Sequence, residues 1–311
     1  MQFTVTEADR DLTILAFLRR ELSPSSKMLK YLKYRPDGIL VNGEHKTVRY
    51  RLQVGDVLSV TTEDTCANTA LAPVELPLQI LYEDADLVVP AKPANMPTHP
   101  SRDHYDDTVA NALAFRYAPL GGSFVFRPIN RLDRNTSGLL LIARNKLSAG
   151  KMTRSMQDGE IRKTYLAVLD GEMTQECGRI DASLHRTEQS IILREVCPHD
   201  APDADHALTE YRVLAVGNGH TLVQANPLTG RTHQLRVHFA SIGHPITGDD
   251  LYGCESDRIP RHALHAYALT FPHPTTGESL CLTAPLPQDM LDLIEQVLPN
   301  AIPLKFQNGK E

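Results

Sequence analysis

One carboxylate, Asp133, stands among Arg127, Arg131, Arg134 and Arg144 in the stretch RPINRLDRNTSGLLLIARN. Guanidiniums beside an acid favour its charged form. A carboxylate kept ionised and held still can act as a nucleophile or as an electrostatic stabiliser. The residues that follow suit such a task. Asn135, Thr136, Ser137 and Gly138 offer hydroxyl and backbone donors that can hold a loop, and LLLIA reads as a buried strand starting beside the acid. The competing reading is an Asp–Arg pair with a purely structural role. A hydrolase or phosphoryl-transfer enzyme fits less well, because the chain has no paired Asp, Gly-rich phosphate loop or metal-ligand spacing to accompany Asp133.

The elements that must position this acid follow from the hydrophobic pattern. From Leu78 onward strands dominate, in LQILYEDADLVVPAK, RKTYLAVLDGEM, HALTEYRVLAVGNGHTLVQANP and HALHAYALTFPHPTTGESLCLTAP. Helices are predicted over DDTVANALAFRYA, KLSAGKMTRSMQDGEI, THQLRVHFASIG and PQDMLDLIEQVL. Strands and helices mix without regular βα alternation. This predicts an α+β fold with a mostly antiparallel mixed sheet flanked by helices. Residues 1–64 form a separate pattern of helix, basic helix and short strands with turns at Asn42-Gly43 and Gly55-Asp56, expected to be a small α+β module. Residues 65–77 read as a linker, 78–300 as the main domain and 301–311 as a tail.

Composition bounds the function. The 311 residues are 41% hydrophobic and 23% charged, as in an ordinary soluble protein. The opening MQFTVTEADRD has no basic segment followed by an apolar run, and no run of 18 apolar residues occurs, so neither signal peptide nor membrane span is expected. Five scattered cysteines without a CxxC pair predict reduced thiols and a cytoplasmic protein, and no metal site is expected. Net charge is −6, yet Arg19 to Arg51 and Arg127 to Lys163 each hold nine Lys/Arg against three Asp/Glu. Local basic patches, rather than the total, govern binding to phosphates.

Several motifs in order resemble one family. RPINRLDRNTSGLLLIARN is similar to the central HRLDxxTSGLLL motif of the RluA-type pseudouridine synthases. KPANMPTHPS, RKTYLAVLDG, LTGRTHQLRVHFASIGHPITGDDLYG and RHALHAYALTFPHP are similar to its other segments, over roughly residues 80 to 285. The first residues, about 10 to 62, resemble an S-four-like RNA-binding domain, with lysines at Lys27, Lys30 and Lys33 where that domain is usually arginine-rich.

The resemblance implies an RNA uridine isomerase working without cofactor or metal, with Asp133 as its essential acid. It implies that Tyr165 is the aromatic that stacks on the flipped base, its phenol or a nearby water taking a proton. It implies that Arg236 pairs with the catalytic Asp, Leu264 packs on uracil, and Arg131 reaches into the RNA to hold the base out. Arg134, Arg231 and Gln234 are expected RNA contacts, with sheet bridging as the alternative for Arg231 and Gln234. Two positions depart from the family pattern. Asn130 stands where many relatives have His, and Asn95 replaces a turn glycine, a substitution Asn tolerates because it accepts left-handed backbone. Ribosomal RNA is the favoured partner, transfer RNA the alternative substrate, and a monomer the default. A catalytically inactive RNA binder is the rival class.

Overall fold

The structure is a computed structural model of the whole chain. It describes every residue except 1, 23, 25, 62–70, 121–123, 189, 191 and 302–311, and the side chains of 27 and 120. The first part of the expected linker, residues 65–70, and nearly all of the tail lie outside the described residues.

The first module contains β1 (Gln2–Thr4), α1 (Ile14–Glu21), α2 (Ser26–Tyr34), β2 (Ile39–Val41), β3 (Glu44–His45) and β4 (Val57–Val60). Its sheet runs β1-β4-β2-β3, entirely antiparallel. The edge strand β1 was not expected from sequence, because three residues are too few to show an alternation. Thr13 caps α1 by accepting from the Ala16 amide at 3.2 Å. Ile14, Phe17, Leu18, Met28, Leu29 and Leu32 bury the inner faces of the two helices. Leu147 of the main domain joins this cluster, and Lys146 Nζ lies 3.6 Å from the Tyr31 ring centre.

The main domain contains β5 (Gln79–Glu83), β6 (Leu87–Lys92), α3 (Val109–Tyr117), β7 (Ser137–Leu139), β8 (Ile142–Ala143), α4 (Lys146–Gln157), β9 (Arg162–Asp170), β10 (Cys177–Asp181), β11 (Ser183–Arg186), β12 (Arg194–Cys197), β13 (Leu208–Gly217), β14 (His220–Pro227), α5 (Gln234–Ser241), β15 (Leu264–Pro272), β16 (Ser279–Thr283) and α6 (Gln288–Val297). Among the described residues, ten strands make one sheet in the order β10-β13-β14-β9-β15-β7-β6-β5, with β16 beside β15 and β8 beside β6. Every pairing is antiparallel except β15 with β7. The expected α+β class with a mostly antiparallel sheet is therefore observed.

Side chains alternate across this sheet and both faces are covered. Leu87, Val89, Leu139, Leu141 and Ala143 pack with Met152 of α4 on one face. Val88, Leu140, Ile142, Tyr165 and Ala167 pack with α3, α5 and α6 on the other. The run LLLIA, expected as one strand, is interrupted between β7 and β8. The Asn130 amide inserts there: its oxygen accepts from Leu141 N at 2.7 Å and its nitrogen donates to Leu139 O at 3.3 Å.

Candidate active site

Asp133 sits on a short loop that leads into β7, and side chains distant in sequence fix that loop. Thr136 Oγ1 pairs with His262 Nε2 at 2.8 Å, and Ser137 Oγ with His265 Nδ1 at 2.9 Å. Burial drives both imidazoles to the neutral form, His262 to a pKa of about 3 and His265 to about 4. Arg261 donates to Asn135 O at 3.2 Å while its fork grips Asp289 at 2.7 and 2.9 Å. Thr98 Oγ1 donates to Leu132 O at 2.9 Å. Lys92 Nζ, almost fully buried, donates to Pro93 O, Met96 O and Arg134 O at 2.8–2.9 Å, and burial brings its pKa down to about 7.

Gly138 explains why this loop can lie so close to β15. Its φ is +113°, and a Cβ there would stand 2.2 Å from Ala266 O. Asn95 adopts φ +60°, as expected of a residue replacing a turn glycine, and its side-chain oxygen accepts from Arg134 Nε at 2.9 Å.

The four arginines nearest in sequence do not surround Asp133. Arg134 is held by Asn95. Arg144 donates to Asp84 O and covers the Tyr117 ring. Arg127 donates to Val125 O at 3.2 Å, and Arg131 is exposed on the cleft rim. The guanidinium that faces Asp133 belongs to Arg236, 3.7 Å from Oδ2. Arg236 thus lies against Asp133, and it is also held by a second carboxylate. Its Nε and Nη2 form a fork to Asp249 at 2.7 and 2.6 Å, leaving Nη1 toward Asp133. Burial opposes the charge on Arg236, and the bonds to the fully buried Asp249 more than offset that, raising its pKa.

A cleft of about 450 Å³ opens over this arrangement. Asp133, with its side chain 23% exposed, lies in its wall beside Tyr165, Leu264, Arg131 and Arg236. Tyr165 and Leu264 come from adjacent strands, β9 and β15, whose Leu264–Ala167 register brings the two side chains onto one face. Burial first, and then the charge of Asp133, push the Tyr165 phenol well above its ordinary pKa. That makes a resting phenolate unfavourable.

Other expected contacts fall in different places. Gln234 is buried and spends its amide on Thr229, Arg231 N, Leu208 O and Thr209, so it bridges to the sheet rather than facing RNA. Asn130 borders the cleft but is used on the backbone between β7 and β8. Arg231 lies at the rim, donating to His206 O at 2.9 Å. Lys30 and Lys33 are exposed on α2 and do not line the cleft; the side chain of Lys27 is outside the described residues.

Three further cleft residues were not singled out from sequence. Lys163 lies two residues before Tyr165, and the two-residue period of β9 places both on the cleft side. Burial brings its pKa down to about 8, and its ammonium donates to Thr229 O at 3.1 Å. His99, in the KPANMPTHPS segment, has its pKa lowered by burial and then by Arg131. His233 lies 3.9 Å from Asp133. The alternation from Tyr165 could have flagged Lys163, but no local pattern points to the other two.

Metal-type donors gather twice among the described residues. In Asp249, Asp250 and His262, Arg236 already occupies both oxygens of Asp249. In the exposed set Asp181, His199 and His206, Arg179 lies on Asp181. No helix among the described residues is long and apolar enough to cross a membrane.

The RNA pseudouridylate synthase family model matches residues 86–241. An uncharacterised RNA pseudouridine synthase of Bacillus subtilis is 38% identical over 275 residues, covering 88% of this chain and 96% of that protein. Ribosomal large subunit pseudouridine synthase D of Vibrio cholerae is 36% identical over 271 residues, covering 82% of each. The solved structure of human RNA pseudouridylate synthase domain containing 1 is 32% identical with a TM-score of 0.57, covering 67% of this chain and 83% of that one.

Proposed function

The chain belongs to the RNA pseudouridylate synthase family and is an RNA pseudouridine synthase, an isomerase; from that premise we propose that Asp133 carries the reaction and that ribosomal RNA is the substrate. The observation that supports Asp133 most is its place: a partly exposed carboxylate in a cleft wall, on an immobilised loop, facing the buried guanidinium of Arg236.

Isomerisation breaks the uridine N1–C1′ bond and forms C5–C1′. A proton leaves C5 and N1 gains one, so the reaction consumes no co-reactant. The carboxylate attacks either the sugar carbon or the uracil ring, and either route requires it ionised. Arg236, being unable to deprotonate, keeps a positive charge facing it at every working pH. The face of Tyr165 stacks on the extruded base, worth about 1–3 kcal/mol, while Leu264 packs on its other side. Arg131 at the rim fills the gap in the RNA and binds phosphate, offsetting a flipping cost of a few kcal/mol. Lys163, with a pKa of about 8, exchanges protons near neutral pH and is the basic group we assign beside the base.

Lys30 and Lys33 on the first module bind the RNA backbone. The resemblance of this module to RNA-binding domains supports that role, and relatives named as ribosomal large subunit pseudouridine synthases support the substrate class.

Tritium release from RNA labelled at uridine carbon 5 tests the substrate. Large-subunit ribosomal transcripts are expected to release label and transfer RNA transcripts are not. Release from transfer RNA alone would reassign the substrate. Binding of ribosomal RNA in a gel shift without release from either would favour a binder that has lost catalysis.

A further inference from the structure

His233 stands where the backbone resists it. Its φ and ψ are +58° and +17°, a left-handed conformation uncommon for a residue with a Cβ. It occupies the N-cap of α5, yet its side chain makes no capping bond. The ring is turned away from the helix and into the cleft wall, 12% exposed. Strain of this kind persists only where surrounding structure imposes it, and it clusters at functional sites.

Tyr252 holds the ring in this place. Its hydroxyl accepts from Arg194 N at 3.0 Å and lies 2.8 Å from His233 Nδ1, with the two rings edge to face at 5.6 Å. With the backbone amide donating to it, the phenol is free to give its own proton to Nδ1. The neutral imidazole then carries its hydrogen on Nε2. That nitrogen points at Asp133 Oδ2 from 3.9 Å. Such distances are often long in an unliganded site and tighten when substrate binds.

We propose that His233 is a positioning residue for this reaction: locked by Tyr252 in the Nε2–H tautomer, it donates to Asp133 and, with Arg236 Nη1, aims the carboxylate at the uridine. Burial lowers the imidazole pKa, which keeps the ring neutral and a single-proton donor. Two donors from one helix, His233 and Arg236, then converge on the same oxygen. The charged and titratable groups facing His233 are Asp133, Arg236, Arg194, Asp249, Tyr252 and His262. Those facing Asp133 are Lys92, Tyr165, Arg236, Tyr252 and His233. The inference rests on Asp133 being the catalytic acid.

The test compares His233→Asn with His233→Gln. Asn tolerates left-handed backbone and places its amide where Nδ1 was, so it folds but cannot reach Asp133. Gln extends an NH₂ to the Nε2 position. Single-turnover tritium release is measured at saturating RNA, with RNA affinity and thermal midpoint measured in parallel. His233→Asn is expected to lose about 10–100-fold in rate, the range typical of groups that orient a functional ligand. Its RNA affinity and thermal midpoint should stay close to wild type, the affinity within about twofold. His233→Gln should recover much of the rate. Tyr252→Phe, which releases the tautomer, should show a smaller loss. An unchanged rate in a folded His233→Asn protein, or equal loss in the Asn and Gln variants, would overturn the proposal. Wild-type activity surviving in Asp133→Asn would instead overturn the reading on which it rests.

Discussion

The cleft and the first module place their cations in opposite ways. Near Asp133 two guanidiniums are buried and already held, Arg236 by Asp249 and Arg261 by Asp289. On α2, Lys30 and Lys33 stand in solvent beside Tyr34, which is 79% exposed. Fixed charges in a protected site act on a transition state with little reorganisation. Solvated lysines can follow a phosphate backbone wherever it lies, and supply affinity that falls with salt. On the proposed reading, turnover belongs to one region and grip to the other, and substitutions in each should separate the two.

The largest effect should come from Asp133→Asn, with turnover down by on the order of 10⁴-fold or more and RNA affinity within about twofold. Arg236→Met should follow, because it strands Asp249 as a buried unpaired charge. Such losses cost about 3–5 kcal/mol, read as a lowered urea midpoint, and Arg236→Lys should recover only part, since an ammonium cannot replace the fork. Gly138→Ala would drive a Cβ into Ala266 O at a φ that favours glycine, so we expect a loss of about 3 kcal/mol or more, measured the same way. Lys30→Ala with Lys33→Ala should weaken RNA binding while leaving single-turnover rate at saturating RNA unchanged. The slope of log affinity against log salt should become shallower by about 0.7–0.9 for each phosphate that the double variant no longer neutralises.

The smallest effect concerns Lys163. Its pKa is about 8 in the folded chain against 10.5 when unperturbed. Between those values the unfolded chain binds the extra proton. The cost of burying this group is therefore full below about pH 8 and fades as pH rises toward 10.5. The stability of Lys163→Met relative to wild type should be most favourable near pH 7 and decline by pH 10, read from paired denaturation curves. A difference independent of pH would mean that Lys163 is not buried as a cation.

Much of this was legible locally. The donors Thr136 and Ser137 that hold the loop, the tolerance of Asn95 for left-handed backbone and the antiparallel character all follow from short-range pattern. What local pattern did not show is the partnership of charges. Arg127, Arg134 and Arg144 lie near Asp133 in sequence but are drawn to Val125, Asn95 and Asp84; Arg236, from a helix about a hundred residues on, was reached only through the family resemblance, and Asp249 behind it not at all. Sequence proximity fixes neither side-chain direction nor which strand lies alongside. The break between β7 and β8 was hidden for the same reason, since it depends on where the Asn130 amide inserts.

The central claim is that Asp133 performs the chemistry while other groups bind. It is tested most directly by single-turnover tritium release from labelled ribosomal RNA, run on wild type and Asp133→Asn at matched RNA occupancy. The account predicts release from wild type and none above background from the variant, with both proteins binding alike. Release by the variant at a comparable rate would contradict it.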